Sequence, residues 1–230
     1  MQPFFYMDYY YLVLVVPAFI FALIAQFRVK STFSSYSQQR SQRGLTGEQA
    51  ARKVLSHYGI NDVAIEMVSG KLTDHYDPRD NVIRLSENVY SSSSIAAIGV
   101  ACHEAGHAAQ HAQGYVPIKI RNAILPVCNI GSTIGIPLAV IGLIFNFPAL
   151  VSIGIIFYAL VAVFQFITLP VEFNASSRAI KVIDETGILS DEEADGAKSV
   201  LKAAAMTYVA ALAVSIANLL RLFLLSNRRD

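Results

Sequence analysis

Charge is scarce in this sequence. Only 15% of its 230 residues are Asp, Glu, Lys or Arg, whereas 54% are hydrophobic; ordinary soluble domains carry roughly 25% charged residues. The formal net charge is +1, and no basic cluster with interleaved aromatics occurs, so composition gives no argument for a nucleic-acid partner. Cysteine is nearly absent as well. Cys102 and Cys128 both lie in apolar surroundings and support neither a disulfide framework nor a thiolate metal site. They read as small buried hydrophobes. The first apolar run lacks the marks of a cleaved leader: it has no positive n-region, it carries Asp8, and no small-x-small cleavage site follows. A retained anchor is expected there.

The missing charge is concentrated in three stretches, residues 9–27, 122–171 and 203–220. Crossing about 30 Å of hydrocarbon takes roughly 20 apolar residues in a helix. The second stretch is long enough for two crossings, with Asn146-Phe147-Pro148 as the reversal point. Four spans are expected. Asn218 and Arg221 sit near the end of the last, where a long Arg side chain can snorkel to the interface. Arg28, Lys30, Arg40 and Arg43 follow the first span and nothing basic precedes it, so the positive-inside rule puts the chain after residue 28 in the cytoplasm. Arg228 and Arg229 run against that orientation.

Between the first two spans lies a polar region. Residues 30–43, rich in Ser, Gln and basic side chains, read as a flexible linker at the membrane surface. Thr46-Gly47-Glu48-Gln49 has capping-box spacing, Ala50, Ala51, Val54, Leu55 and Tyr58 line one face of the helix it opens, and Gly59 is placed to end it. Residues 63–68, 72–76 and 81–85 read as strands, the last two paired around Asp77-Pro78-Arg79-Asp80. The expected fold is therefore mainly α-helical, about four transmembrane helices with a small α+β domain. Its expected divisions are an anchor (1–28), a cytoplasmic-side domain (29–121), a two-span hairpin (122–171), a helical segment (172–202) and a C-terminal transmembrane helix (203–230).

Residues 95–113 read as a helix behind the N-capping candidates Ser91 to Ser94, and that helix contains His103-Glu104-Ala105-Gly106-His107. Two histidines four residues apart lie one turn above each other, so both imidazoles can reach one metal ion. Zinc takes such nitrogens in a tetrahedral shell that leaves one position for water in a catalytic site. Glu104 lies about 100° round the helix from His103, beside the metal, where it can accept a proton from that water. His111 continues the same face, either lining the cleft or simply solvated. The longer three-His motif would need a His at 113, which is Gln113. A third ligand must come from elsewhere. Two spans joined by a tight turn return the chain to the side it left, and the first charged residue after Pro170 is Glu172. Glu185, Glu192 and Glu193 are weaker candidates, since Ser190-Asp191-Glu192-Glu193 has the form of a helix cap.

These residues resemble the YugP-type zinc-dependent membrane proteases, within the wider gluzincin group of integral-membrane peptidases. The resemblance covers most of the chain and rests on residues 101–111 around the motif, on Leu169-Pro170-Val171-Glu172-Phe173-Asn174-Ala175-Ser176, on residues 203–209, and on Asn81-Val82-Ile83-Arg84-Leu85-Ser86. It implies one zinc ion held by His103, His107 and Glu172, with Glu104 as base in peptide-bond hydrolysis. Many integral-membrane gluzincins carry an Asp four residues after the ligand Glu, hydrogen-bonded to a ligand His; here that residue is Ser176, a neutral hydroxyl, and Asn174 is another candidate partner.

Arg178 and His111 are the candidate oxyanion donors. Asn81, Val82, Ile83, Arg84 and Leu85 are expected to form a sheet edge to which substrate adds as a strand. The expected substrates are peptides or membrane proteins, met at the cytoplasmic interface of a bacterial inner membrane; residues 95–102 are too short an apolar approach to place the motif within a span. The competing expectation is a zinc-bound but inactive adaptor for other membrane proteins.

Overall fold

The computed structural model describes residues 8–70 and 73–226. Arg228, Arg229 and Leu72, which opened the expected second strand, lie outside the described residues. A π-helical turn, Tyr11–Val15, leads into α1 (Val16–Ser37). There follow α2 (Gly47–His57), β1 (Ala64–Val68), β2 (His75–Asp77), β3 (Val82–Ser86), α3 (Glu87–Tyr90) and α4 (Ile95–Ala112). Three long helices complete the chain: α5 (Val116–Ile144), α6 (Pro148–Thr186) and α7 (Asp191–Ser226). Four helices are long and apolar enough to cross a membrane, namely Tyr11–Ser37, Val116–Ile144, Pro148–Thr186 and Asp191–Ser226. The protein is a helical membrane protein with a small α+β domain, and it divides into two compact units.

The first unit comprises Met1–Gln26, Ile120–Leu169 and Thr207–Asp230, and its described residues are helical apart from Asp8 and the turn at 145–147. Its chain reverses between α5 and α6 at Asn146, which takes a left-handed backbone (φ 53°). The two helices then cross closely through small residues, as membrane helices do in the absence of a hydrophobic drive between them. A Cβ on Gly154 would collide with the backbone of Ala139. Arg221 does not snorkel alone: its guanidinium pairs with Asp8 at 2.7 Å and lies 5.1 Å from the centre of the Tyr11 ring. Asp8 also caps the helix start, accepting from the Tyr11 N–H at 2.8 Å.

The second unit comprises Phe27–Lys119 and Pro170–Met206. Its sheet has the order β1–β3–β2, with β1 parallel and β2 antiparallel to β3. Tyr76 faces Ile83 across the β2–β3 pair, and Ile65 faces Ile83 across β1–β3. The strand expected at residues 81–85 is therefore central and saturated on both sides, not an edge. Val82, Ile83 and Leu85 are buried, and the edge expectation for Asn81, Val82, Ile83, Arg84 and Leu85 is corrected by the pairing on both sides. β1 and β2 are the edges.

α2 begins with the anticipated reciprocal cap between Thr46 and Gln49, and α4 with Ser94 accepting from the Ala97 N–H. The core gathers Val54, Leu55, Ile83, Leu85, Ile98 and Ile183. α4 runs through it on small residues, Ala97, Ala101, Ala105, Ala108 and Ala109 being buried, so neighbouring elements approach its backbone closely.

One further expectation changes. Residues 30–37 are helical, not a linker, because Phe33 and Tyr36 pack onto this core. The segment after them is also held: Ser41 N–H donates to the Ser93 carbonyl, Ile95 N–H to the Gln39 carbonyl, and Gln42 N–H to Glu193 at 2.7 Å. The expected divisions at 171/172 and 202/203 fall inside the continuous helices α6 and α7, near the limits of the two units at 169/170 and 206/207. α6 stops only where Gly187 takes a left-handed φ of 58°.

Candidate metal centre

His103 and His107 lie one turn apart on α4, and Glu172 faces them from α6. His103 Nε2 is 3.3 Å and His107 Nε2 3.6 Å from the same carboxylate oxygen, Glu172 Oε2. All three side chains are largely buried, and the imidazole rings stand edge to face with centroids 4.7 Å apart. Two donors each about 2.0–2.1 Å from a tetrahedral zinc ion are about 3.3–3.4 Å apart. The observed separations match that spacing and exceed the usual N–H···O range of about 2.7–3.2 Å. Two imidazoles and a carboxylate are also a catalytic zinc donor set. The residues present fit the ion.

The contact that sets this spacing is a backbone crossing. A Cβ added to Gly106 would sit 2.5 Å from the Ala175 carbonyl oxygen and 3.3 Å from its Cα. Only glycine lets α4 approach α6 here, one residue before His107 and three after Glu172.

Glu104 is buried beside the cluster and accepts from the Tyr76 backbone N–H through Oε2 at 3.1 Å. Burial pushes its carboxyl up to about 7; His103 opposes the rise, while Glu172 and Asp74 add to it. A carboxyl poised near neutrality suits proton transfer in either direction.

A family described as "Putative neutral zinc metallopeptidase" matches residues 11–227. The chain is 45% identical over 221 residues to the "Putative membrane protease YugP" of Bacillus subtilis (strain 168), covering 96% of this chain and 98% of that protein. The chain belongs to this zinc metallopeptidase family. No solved structure matches it.

Zinc is accordingly the cofactor of this family member, and the remaining residues singled out in the sequence can be placed around the cluster. Ser176 Oγ lies 3.1 Å from His103 Nδ1. Asn174 accepts from both Gln110 (3.0 Å) and Arg178 (2.8 Å). Arg178 also donates to Gln113 and lies over the rings of Tyr58 and Tyr115. His111 is exposed and meets the Tyr76 hydroxyl at 3.2 Å, and the same hydroxyl donates to Asn81 at 2.9 Å. Asn81, with a left-handed φ of 54°, thus serves the turn before β3.

Two residues at the site were not anticipated. Gln110 is fully buried against His107, and its signal was present: it stands three residues beyond His107, on the same helical face. Tyr76 left no local signal. Its backbone N–H reaches Glu104 only because β2 occupies the sheet edge beside α4.

Proposed function

We propose that His103, His107 and Glu172 hold one zinc ion and that the protein hydrolyses peptide bonds of membrane or membrane-proximal proteins, with Glu104 as the catalytic base. The observation that carries this reading is the convergence of His103 Nε2 and His107 Nε2 on Glu172 Oε2 at 3.3 and 3.6 Å. Zinc bound there supplies acidification of a water and polarisation of the scissile carbonyl.

The chain's own residues do the rest. Glu104 takes the proton of the attacking water and returns it to the departing amine. The Tyr76 N–H fixes one carboxylate oxygen of Glu104, which holds the other at a constant place relative to the histidines. β2 supplies the sheet edge next to the base, where Glu104 holds the Tyr76 N–H that a substrate carbonyl would otherwise take. An extended substrate backbone can add to it as a fourth strand, so recognition rests on main-chain hydrogen bonds and tolerates varied side chains. The unit that bears the site lies at the cytoplasmic interface of a bacterial cell membrane, a placement supported by Arg28, Lys30, Arg40 and Arg43 after the first span.

Glu104→Gln tests the assignment. The variant is expected to keep zinc and lose turnover of unfolded or membrane-protein substrates by about 10²- to 10⁴-fold. Retained hydrolysis would remove Glu104 from the mechanism. Zinc without turnover in the unmodified protein would favour the adaptor reading, for which the neutral hydroxyl of Ser176 beside His103 is the supporting observation.

A further inference from the structure

The two histidines of the cluster are held in different ways. Among the described residues, His103 Nδ1 meets the Ser176 hydroxyl, which can turn to donate or accept. His107 Nδ1 meets Gln110 Oε1 at 3.0 Å, and Gln110 is a side chain with no exposure at all. The far end of Gln110 crosses to α6, where Nε2 donates to the Val171 carbonyl at 2.8 Å and to Asn174 Oδ1 at 3.0 Å. These partners flank Glu172 on either side in sequence.

The polarity of this chain of hydrogen bonds is forced. Arg178 can only donate, so Asn174 must turn its oxygen toward Arg178 Nε, which it does at 2.8 Å. That oxygen and the Val171 carbonyl can only accept, so Gln110 must present its NH₂ group to both. Its carbonyl oxygen is then the atom left facing His107, and His107 Nδ1 must carry a proton. Nε2 is thereby kept as the nitrogen that faces Glu172.

We propose that Gln110, oriented by the Val171 carbonyl and by Arg178 through Asn174, is the positioning residue that fixes the protonation of His107 at Nδ1 and ties the His107 ring to the helix bearing Glu172. The relay supplies from neutral amides the orientation that a carboxylate gives elsewhere. It also gives Arg178 a role that requires no contact with the reacting atoms. The relay rests on the zinc site proposed above only for its consequence, metal affinity; the protonation of His107 is a property of the metal-free protein too.

The test uses detergent-purified full-length protein with Gln110→Met, which keeps the side-chain volume and removes the polar ends, Asn174→Asp, which keeps both accepting positions, and Asn174→Leu, which removes them. Zinc affinity is read by competition with a chromophoric chelator. The Nδ1–H of His107 is read in the metal-free protein by ¹⁵N-histidine NMR as a slowly exchanging proton. Gln110→Met is expected to weaken zinc binding by about 10- to 100-fold and to lose the protected Nδ1–H. Asn174→Asp should keep the protected Nδ1–H and lose no zinc affinity, and Asn174→Leu should fall between the unmodified protein and Gln110→Met. Zinc affinity and a protected Nδ1–H that survive Gln110→Met would overturn the proposal, as would equal losses in the two Asn174 variants. Absence of zinc from the unmodified protein, with the Nδ1–H still protected, would overturn the zinc site and leave the relay standing.

Discussion

Gly106→Ala adds one methyl group at the point where α4 and α6 touch. Its Cβ would lie 2.5 Å from the Ala175 carbonyl oxygen, 3.1 Å from its carbon and 3.3 Å from its Cα. A carbon–oxygen contact relaxes to about 3.2 Å or more, so the helices must part locally by about 0.7 Å, and the atoms in the way are backbone that cannot rotate aside. Two stability terms oppose each other. Replacing glycine in a helix interior gains about 1 kcal/mol, while overpacking a filled core costs about 1–3 kcal/mol, so the net loss is small and the variant folds. Metal binding has no such compensation. Ligand positions tolerate about 0.2 Å, and Glu172 is three residues from the displaced Ala175. Zinc affinity is therefore expected to fall by at least about tenfold, comparable to losses on disturbing groups that orient a ligand. Gly99→Ala is the control on the same helix. Its nearest neighbour would be the Ala197 Cβ at 3.3 Å, away from the three site residues, and the variant should keep full affinity. Chelator competition and thermal unfolding on both variants decide the matter. A folded Gly106→Ala protein that binds zinc as tightly as the unmodified one would refute the claim that this crossing sets the ligand spacing.

The burial of Glu104 has a pH signature. Its folded-state value of about 7 stands above the ordinary 4.5, so the folded chain holds the proton more tightly than the unfolded one. Stability of the metal-free protein from this group is full below about pH 4.5 and is lost as pH rises to about 7, by about 3 kcal/mol in all. Metal-free Glu104→Gln should lack that part of the decline and be the more stable protein at pH 8; parallel pH profiles would contradict it. Ser176→Ala, assayed by chelator competition, should weaken zinc binding by no more than about tenfold, because the hydroxyl it removes orients His103 only loosely; no loss at all would dismiss that contact. Asp8→Asn should lower stability in detergent by about 1.5–3 kcal/mol, the worth of hydrogen bonds to a charged partner, since it weakens the pair with Arg221. An unchanged thermal midpoint would show that pair to be incidental.

Much of this was legible in the sequence because its signals are local. Spans declare themselves by length and missing charge. The His103–His107 pair declares itself by a four-residue spacing, and the Thr46 cap by a three-residue one. Glu172 was reachable because a two-span hairpin fixes which side of the membrane the chain returns to. What failed depends on partners far away in sequence. Residues 30–37 look solvated until Phe33 and Tyr36 find the core. The strand at 81–85 has the same pattern whether central or at an edge, and only the parallel pairing of β1 with β3 decides between them. Tyr76 reaches Glu104 for the same reason. α6 runs past its expected limit straight through Pro170, and α7 past its own through Lys202 and Ala203.

The most direct test of the centre is the metal content of detergent-purified, unchelated protein beside Glu172→Ala and His103→Ala. Near-stoichiometric zinc in the unmodified protein, lost in both variants, is the expected result. Zinc lost with His103 but retained in Glu172→Ala would contradict the three-ligand site built across α4 and α6.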